Sequence, residues 1–427
     1  MNDISNSNDK EIGSKNKNDF FVEKVEWIPG GGVTSPDGFQ AAGVYCGIKK
    51  NIGENRDLAL IYSEVPATAA GVFTKNVFQA APVLVCRQRI DNMIQAIAVN
   101  SGNANACVGD GGYGDALKMA EITAKSLKIV PDSVLVSSTG VIGERLPMDK
   151  ISEGIGKASE QLTDSMAGGD YAAQAILTTD TGIKKVACRA EIGGKSFIVG
   201  GIAKGSGMIA PNMATMLAFI TTDLKIGKEL LADALKEAVS YSFNLISVDG
   251  DTSTNDMVIT LANGLSGAEL AEKGPDYELF KEMLFSVCRE LACMIARDGE
   301  GITKFITLKI NGAPDYEKGR TMALAVLNSL LVKTAFFGED ANWGRIFAAL
   351  GYSGVAFDPK KVSLYLGPIR VAHGGEKADY KEDEVATYLK GKDIEVTIEL
   401  KAGGENLTAW GNDLSYDYVK INSDYRN

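Results

Sequence analysis

Histidine, the usual base of hydrolases and acyltransferases, occurs once in this 427-residue sequence, as His373. A Ser-His-Asp or Cys-His arrangement would have to use that residue, and the following Gly374 and Gly375 favour a surface turn after a strand. The sequence contains no His-Glu-x-x-His zinc motif and no Walker phosphate loop. A route that needs no histidine is a threonine, serine or cysteine at a newly made N-terminus, whose own α-amino group acts as the base.

The segment from Lys204 to Asp223 is compatible with that chemistry. Glycine and proline interrupt its first part and predict an irregular loop, whereas Met216–Thr222 is an apolar, β-branched run that predicts a buried strand. Thr215 lies at the junction, after the small Ala214, so its hydroxyl can attack the preceding carbonyl in an N-to-O acyl shift followed by hydrolysis. The new α-amino group, with a pKa of about 7.7–8.0, would be well populated as the free base. Threonine at such a junction is more often structural, so the residues alone show only compatibility.

The same segment resembles the cleavage and nucleophile motif of the ornithine acetyltransferase (glutamate N-acetyltransferase) family. In that family the threonine of a Met-Ala-Thr-Met-Leu stretch becomes the new N-terminus, and here this stretch surrounds Thr215. The resemblance covers about Trp27 to Asn427. Further motifs of the family follow in the same order at Ser101–Ala106, Ser138–Gly143, Thr178–Thr181, Asp298–Gly301 and Tyr418–Asn422.

The resemblance implies a two-step acyl transfer in arginine biosynthesis, after cleavage between Ala214 and Thr215. N-acetylornithine would donate its acetyl group to Thr215 Oγ and leave as ornithine, and glutamate would then accept the group as N-acetylglutamate. Thr139 and Gly140 match the oxyanion-hole pair of the family, which the tetrahedral intermediates require. The substrate-binding positions of the family match Thr178, Lys204, Thr215, Glu300, Asn422 and Asn427.

These matches carry expectations about individual contacts. Lys204 would pair with a substrate α-carboxylate or tune the Thr215 amine, and Glu300 would hold the side-chain ammonium of ornithine. Asn427 departs from the family, which usually ends in threonine or serine. Each residue also has an ordinary explanation: Thr139 as a helix cap, Lys204 as a solvated charge and Glu300 as a solvated acid at a helix end. An apolar strand is expected directly before Thr178, and which of the threonines at 178, 179 and 181 faces the substrate stays open.

The elements that would position these residues alternate between strand and helix, which predicts a mixed α and β (α/β) fold of layered sheets flanked by helices. The resemblance adds the fold of self-cleaving N-terminal-nucleophile enzymes shared with related aminopeptidases. Helices are expected over 113–127, 148–162, 229–240 and 277–296. Strands are expected over 58–62, 83–86, 94–100, 133–137, 216–222, 257–261, 305–310, 362–366 and 394–400.

Composition limits the partners. Apolar residues make up 45% and charged residues 23%, as in ordinary globular proteins. The net charge of −11 and the pI near 4.9 argue against nucleic acid as a partner. Six cysteines without a Cys-x-x-Cys pair predict buried, reduced thiols, no bound metal and a cytoplasmic location. No apolar run is long enough to cross a membrane, and residues 1–19 predict a disordered tail rather than a secretion signal.

The expected products are an alpha chain with the oxyanion hole, residues 20–214, and a beta chain, residues 215–427, assembled two of each as the family resemblance implies. No cofactor is expected; acetyl-CoA as an alternative acetyl donor is not decided by the sequence. Two other functions stay open. One is a related self-processing aminopeptidase that passes the acyl group to water, and the other is a non-catalytic binding protein of the same fold.

Overall fold

The computed structural model describes residues 25–49, 55–210 and 216–424. The predicted tail, the predicted cleavage pair Ala214 and Thr215, and Asn427 lie outside the described residues. Their predicted roles therefore rest on the sequence.

Strands and helices alternate through the described chain, as the sequence predicts. The helices are α1 (Ala81–Arg89), α2 (Gly109–Leu127), α3 (Met148–Glu160), α4 (Met166–Ala175), α5 (Lys228–Ser240), α6 (Pro275–Arg297), α7 (Tyr316–Leu327), α8 (Leu330–Phe337), α9 (Trp343–Gly351), α10 (Glu382–Leu389) and α11 (Tyr416–Asp424). The strands are β1 (Glu26–Trp27), β2 (Phe39–Val44), β3 (Leu58–Phe73), β4 (Ile94–Asn103), β5 (Val134–Val141), β6 (Lys184–Ile192), β7 (Lys195–Lys204), β8 (Leu217–Thr222), β9 (Lys225–Ile226), β10 (Met257–Ala262), β11 (Glu269–Leu270), β12 (Phe305–Ala313), β13 (Ser363–Leu366), β14 (Ile369–His373), β15 (Glu376–Lys377), β16 (Asp393–Glu399) and β17 (Glu405–Asn412).

Two large sheets organise the molecule. The first has nine strands in the order β1-β6-β7-β8-β10-β3-β4-β5, with β2 paired to β3 outside this path. The second has six strands in the order β15-β14-β13-β16-β12-β17, and β9 pairs with β11 in a small separate sheet. Helices cover the sheets, so the fold is mixed α and β, as predicted.

Strand β8 lies inside the nine-stranded sheet, between β7 and β10. It is antiparallel to β7, with Lys204 opposite Leu217, and parallel to β10, with Met257 opposite Leu217. All six of its residues are buried, which explains why its sequence is a nearly continuous apolar run. Phe219 packs on the α4 side of the sheet and Ile220 on the α6 side. Segments before and after position 215 therefore share one sheet and one core.

Two predicted strands are wrong. Residues 83–86 belong to helix α1, which has a proline in its first turn, at Pro82. A short apolar run cannot distinguish a buried strand from a buried helix, and Pro82 favours a helix start. The residues before Thr178 also form a helix, α4, rather than the apolar strand expected there, and the Ser165 side chain caps it by accepting a hydrogen bond from the Gly168 N–H.

The cysteines and the histidine occupy different environments. Cys46, Cys86, Cys188 and Cys288 are buried free thiols, as predicted. Cys293 is half-buried, and Cys107 is exposed, so the expectation of burial is wrong for Cys107. His373 ends β14 on the second sheet, is exposed, and lies 3.1 Å through Nδ1 from the Ser363 hydroxyl.

Among the described residues, no single helix has the length and apolar character needed to cross a membrane. Helices α7 and α8 satisfy the length and composition criteria only as a pair, bent by 55° at the break between them.

Candidate active site

The site residues that the sequence predicts within the described chain meet at one cleft. The cleft has an empty volume of about 670 Å³, which includes the solvent at its open mouth. Its wall includes Met216, the residue bonded to Thr215. The predicted residues that line it are Thr139, Gly140, Thr178, Lys204, Glu300 and Asn422.

Lys204 lies at the end of β7, and its ammonium projects among hydroxyl groups of the cleft. Its Nζ donates a hydrogen bond of 2.8 Å to Thr178 Oγ1 and a longer one of 3.5 Å to Thr139 Oγ1. The side chain is buried, so it is not the solvated charge that the ordinary explanation assumes. Burial, the main cause, lowers the pKa of Lys204, and Lys184 adds to this; Asp180 opposes it. Among the threonines left open by the sequence, Thr178 and Thr179 line the cleft, and Thr178 contacts Lys204.

A buried carboxylate behind the cleft ties three segments together. Asp180 accepts hydrogen bonds from the Gly205 N–H at 2.6 Å and the Thr178 N–H at 3.0 Å, and it pairs with Lys184 Nζ at 2.7 Å. Lys184 also pairs with Asp298 at 2.6 Å. Burial alone would raise the pKa of Asp180, but Lys204 and Lys184 outweigh burial and hold that pKa well below its ordinary value. Asp180 therefore stays ionised and fixes the loops that carry Thr178 and Lys204.

Glu300 follows α6 and points into the cleft with a defined partner. Its Oε2 accepts a hydrogen bond of 2.7 Å from Asn422 Nδ2 on α11, and its backbone N–H donates to Ser206 O at 3.1 Å. Glu300 is only 7% exposed, so it is not a solvated acid. Gly207 approaches the carboxyl so closely that a Cβ there would lie 2.5 Å from Glu300 Cδ. The C-terminal helix and the loop before the predicted cleavage position thus hold this carboxyl from two sides.

The Thr139–Gly140 turn can present backbone N–H groups to the cleft. Gly140 has a φ of 130°, and a Cβ there would lie 2.6 Å from Asn103 N, so only glycine fits. The turn lies within β5, which continues to Val141 rather than ending at Ser137, the end that the sequence suggested. Helix α3 begins at Met148, so Thr139 does not cap it.

Asn255, which sequence reasoning missed, supports this turn from behind. Its Nδ2 donates to Ser138 O at 2.8 Å and to Ala104 O at 2.5 Å, and its Oδ1 accepts from Thr254 Oγ1 at 2.6 Å. Ser138 O belongs to the same peptide group as the Thr139 N–H, so Asn255 orients that donor. A polar run directly before the apolar strand β10, Ser253 to Asp256, is the signal that could have indicated these residues.

The loop before the predicted cleavage position is held in an unusual conformation. Met208, which lines the cleft, has a φ of 56°, in the left-handed region that non-glycine residues seldom occupy. The Asp249 carboxylate accepts hydrogen bonds from the Met208 N–H at 2.6 Å and the Ile209 N–H at 2.8 Å. Such strain persists only where surrounding contacts impose it, and it is frequent at functional sites.

Together these groups suit a small zwitterion. A buried ammonium and a buried carboxyl can bind groups of opposite charge, and the Thr139–Gly140 turn offers N–H donors for an oxygen that gains negative charge. The arrangement is suited to acyl transfer on an amino acid.

This chain is similar to known proteins over almost its whole length. The model of the ArgJ family matches residues 40–427. The arginine biosynthesis bifunctional protein ArgJ of Symbiobacterium thermophilum is 52% identical over 404 residues, 94% of this chain and 100% of that protein. The protein of the same name from Oceanobacillus iheyensis is 48% identical over 408 residues, 95% of this chain and 98% of that protein. A crystal structure of the argJ protein from Bacillus halodurans is 44% identical, with a TM-score of 0.43, and covers 45% of this chain and 98% of that one.

Proposed function

The chain belongs to the ArgJ family, and from this premise we propose that it moves an acetyl group from N-acetylornithine to glutamate through an acetyl-Thr215 intermediate. It is an acetyltransferase of arginine biosynthesis, a glutamate N-acetyltransferase, and its relatives are named as bifunctional proteins of that pathway. One observation carries the proposal of the acetyl-Thr215 intermediate. The residues Thr139, Gly140, Lys204 and Glu300 line one cleft, and this cleft is also lined by Met216, the residue after Thr215.

In the proposed reaction Lys204 binds the α-carboxylate of either amino acid, and Thr178 holds the Lys204 ammonium in place. Glu300, oriented by Asn422, binds the side-chain ammonium of ornithine. The Thr215 hydroxyl attacks the acetyl carbonyl, and its proton goes to the α-amino group of the same residue. The N–H groups of the Thr139–Gly140 turn stabilise the oxyanion in both half-reactions. Charge, burial and hydrogen bonds support the proposed roles of Lys204, Thr178 and Glu300. The proposed role of Thr215 is supported by the sequence motif alone.

The same threonine would first cut the chain between Ala214 and Thr215. Two features support this step: the strained Met208 loop precedes the cleavage position, and buried strand β8 holds the chain that follows it. The products would stay together because β8 pairs with β7 of the other product along its whole length. We expect a heterotetramer of two alpha and two beta chains in the cytoplasm, with Asn427 as a weaker candidate contact.

The test combines a denaturing gel with an acetyl-transfer assay. Purified protein should migrate as two fragments instead of one 45.4 kDa chain, and it should form N-acetylglutamate from N-acetylornithine and glutamate. Thr215→Ala should abolish both cleavage and transfer, because the proposal assigns both reactions to the Thr215 hydroxyl. Thr215→Ser is the matched control, since it keeps the hydroxyl and should retain both reactions at reduced rate.

Other outcomes identify other functions. Release of acetate that does not depend on glutamate would indicate a hydrolase of the aminopeptidase type. An intact chain without transfer would indicate a binding protein. Cleavage that survives Thr215→Ala would show that the nucleophile is another residue. Replacing N-acetylornithine with acetyl-CoA in the same assay determines whether a second donor is used.

A further inference from the structure

Asp256 is a cleft residue that none of the roles above uses. It immediately precedes β10, and the Met257 N–H donates to Met216 O at 3.1 Å. Because β10 and β8 are parallel and Met257 is opposite Leu217, Asp256 lies beside Met216. Both residues line the cleft. The carboxyl of Asp256 also accepts a hydrogen bond from the Met216 backbone, so it lies next to the residue that follows the proposed nucleophile.

The carboxyl is buried without a cation of its own. Asp256 is 2% exposed, and its Oδ2 has no hydrogen-bond partner among the described residues. The two nearby lysines have other partners: Lys184 pairs with Asp180 and Asp298, and Lys204 donates to Thr178.

An unpaired buried carboxylate is costly, so the group keeps a proton instead. Burial, the largest effect, raises the pKa of Asp256 well above its ordinary value. Hydrogen bonding from Ser253 and the charge of Lys204 oppose that rise without cancelling it. A protonated carboxyl with a free oxygen can donate one proton and later take it back.

We propose that Asp256 is a second acid–base residue of the acetyl transfer. It exchanges a proton with the nitrogen of the substrate, while the Thr215 amine exchanges a proton with Thr215 Oγ. This assignment rests on the proposed function. A chemical need supports it: the amide nitrogen of the donor is a poor leaving group until it gains a proton. A single base at Thr215 would have to handle the proton of the hydroxyl and that of the nitrogen in each half-reaction.

The proton balance closes over the two half-reactions. In the first, the bond from Thr215 Oγ to the acetyl carbon forms, and the hydroxyl proton passes to the Thr215 amine. The bond from the acetyl carbon to nitrogen breaks, and the Asp256 proton passes to that nitrogen, so ornithine leaves as an amine. In the second, the free amine of glutamate attacks, its nitrogen returns a proton to Asp256, and the Thr215 ammonium returns its proton to Oγ. Both groups end as they began.

The test uses the full-length chain with Asp256→Asn, which keeps size and hydrogen bonding but carries no ionisable proton. The expected result is a fragment pattern like that of wild type, a kcat lower by roughly 10²- to 10⁴-fold, and a KM within about threefold. Asp256→Glu, which keeps the acid, should recover part of the lost rate. Thr260→Val is the matched control: Thr260 is in β10, the strand that begins directly after Asp256, it is buried, and its Oγ1 has no hydrogen-bond partner among the described residues. Its kcat should be unchanged.

The pH profile distinguishes a chemical role from a structural one. An acid that must be protonated loses activity as pH rises through its raised pKa, so wild type should show an alkaline decline that Asp256→Asn lacks. Lys204 and Glu300 also face this part of the cleft, and they are present in both proteins, so the difference between the profiles belongs to Asp256. Matching profiles would overturn the proposal.

Three further results would overturn it. The first is a cleaved Asp256→Asn protein with wild-type kcat. The second is a folded Asp256→Asn protein that is not cleaved, which would assign Asp256 to cleavage instead of transfer. The third is an Asp256→Glu protein no faster than Asp256→Asn. If wild type itself forms no N-acetylglutamate from N-acetylornithine, the proposed function fails, and that result is distinct from a failure confined to Asp256.

Discussion

Replacing Gly207 by alanine should damage the site while leaving the fold intact. A Cβ at this position would lie 2.5 Å from Cδ and 2.6 Å from Oε1 of Glu300, whereas ordinary contacts begin at 3.4 Å. The Glu300 carboxyl must therefore move by roughly 1 Å, and displacements of that size cost about 10²-fold in rate. The movement would also stretch the 2.7 Å hydrogen bond from Asn422.

The stability cost should be small, because the atom that must yield is the end of a side chain and not backbone. Gly207 also lies outside the glycines with positive φ, so alanine brings no backbone strain there. We expect a change of about 1 kcal/mol or less in the free energy of unfolding, near the usual value for point substitutions. Activity and stability should thus separate in this variant.

The assay compares kcat/KM for N-acetylornithine in wild type, Gly207→Ala and Gly182→Ala, together with their melting temperatures and fragment patterns. Gly182 is the matched control because it is an exposed loop glycine with open space around the position of a Cβ. A double variant, Gly207→Ala with Glu300→Asp, shortens the carboxyl by one methylene and should recover part of the rate. If Gly207→Ala is cleaved and its kcat/KM stays within about threefold of wild type, the placement of Glu300 at the substrate is wrong.

Two more substitutions test the supports of the site. Asp180→Asn leaves Lys184 with less compensation in a buried site and should cost about 3–5 kcal/mol at neutral pH. Because the folded pKa of Asp180 lies below its ordinary value, its contribution is present above the unfolded pKa and declines as pH falls below about 4. Melting temperatures of both proteins against pH should converge in acid; a constant gap would contradict the assignment. Asn255→Ala removes the 2.8 Å hydrogen bond to Ser138 O, so kcat should fall by roughly 10- to 100-fold, less than the loss of a whole oxyanion donor. Steady-state kinetics that show a raised KM with unchanged kcat would instead place Asn255 in substrate binding.

The position of the cleft follows from the way the central sheet is built. Strands β7 and β8 are antiparallel, so the end of β7 at Lys204 lies beside the start of β8 at Leu217. Strand β10 is parallel to β8, so Asp256, which precedes β10, lies at the same end of these strands. An ammonium, a carboxyl and the chain that follows the proposed nucleophile therefore lie together at one end of three neighbouring strands.

Most of the elements that the local sequence predicted are present in the structure. The continuous apolar run of β8 indicated a buried central strand, and the helical spacing of apolar residues indicated α5 and α6, because periodicity reports which face of an element is buried. The apolar pattern was not sufficient for residues 83–86, because four consecutive apolar residues are compatible with either a strand or a helix. The contiguous motif around Thr215 predicts the nucleophile and carries the resemblance to the family, which no local pattern of burial could do.

Only the tertiary structure decided how the site residues meet and what charge they carry. Lys204 contacts Thr178, and Glu300 contacts Asn422, across 26 and 122 residues of chain, and no periodicity encodes such distances. Asp180 and Asp256 are the same residue type in the same cleft region, yet the pKa of Asp180 is lowered and that of Asp256 is raised. The physical reason is that Asp180 is paired with lysines whereas Asp256 is buried without one. A carboxyl's charge depends on its neighbours in space, and those are set when the sheet assembles.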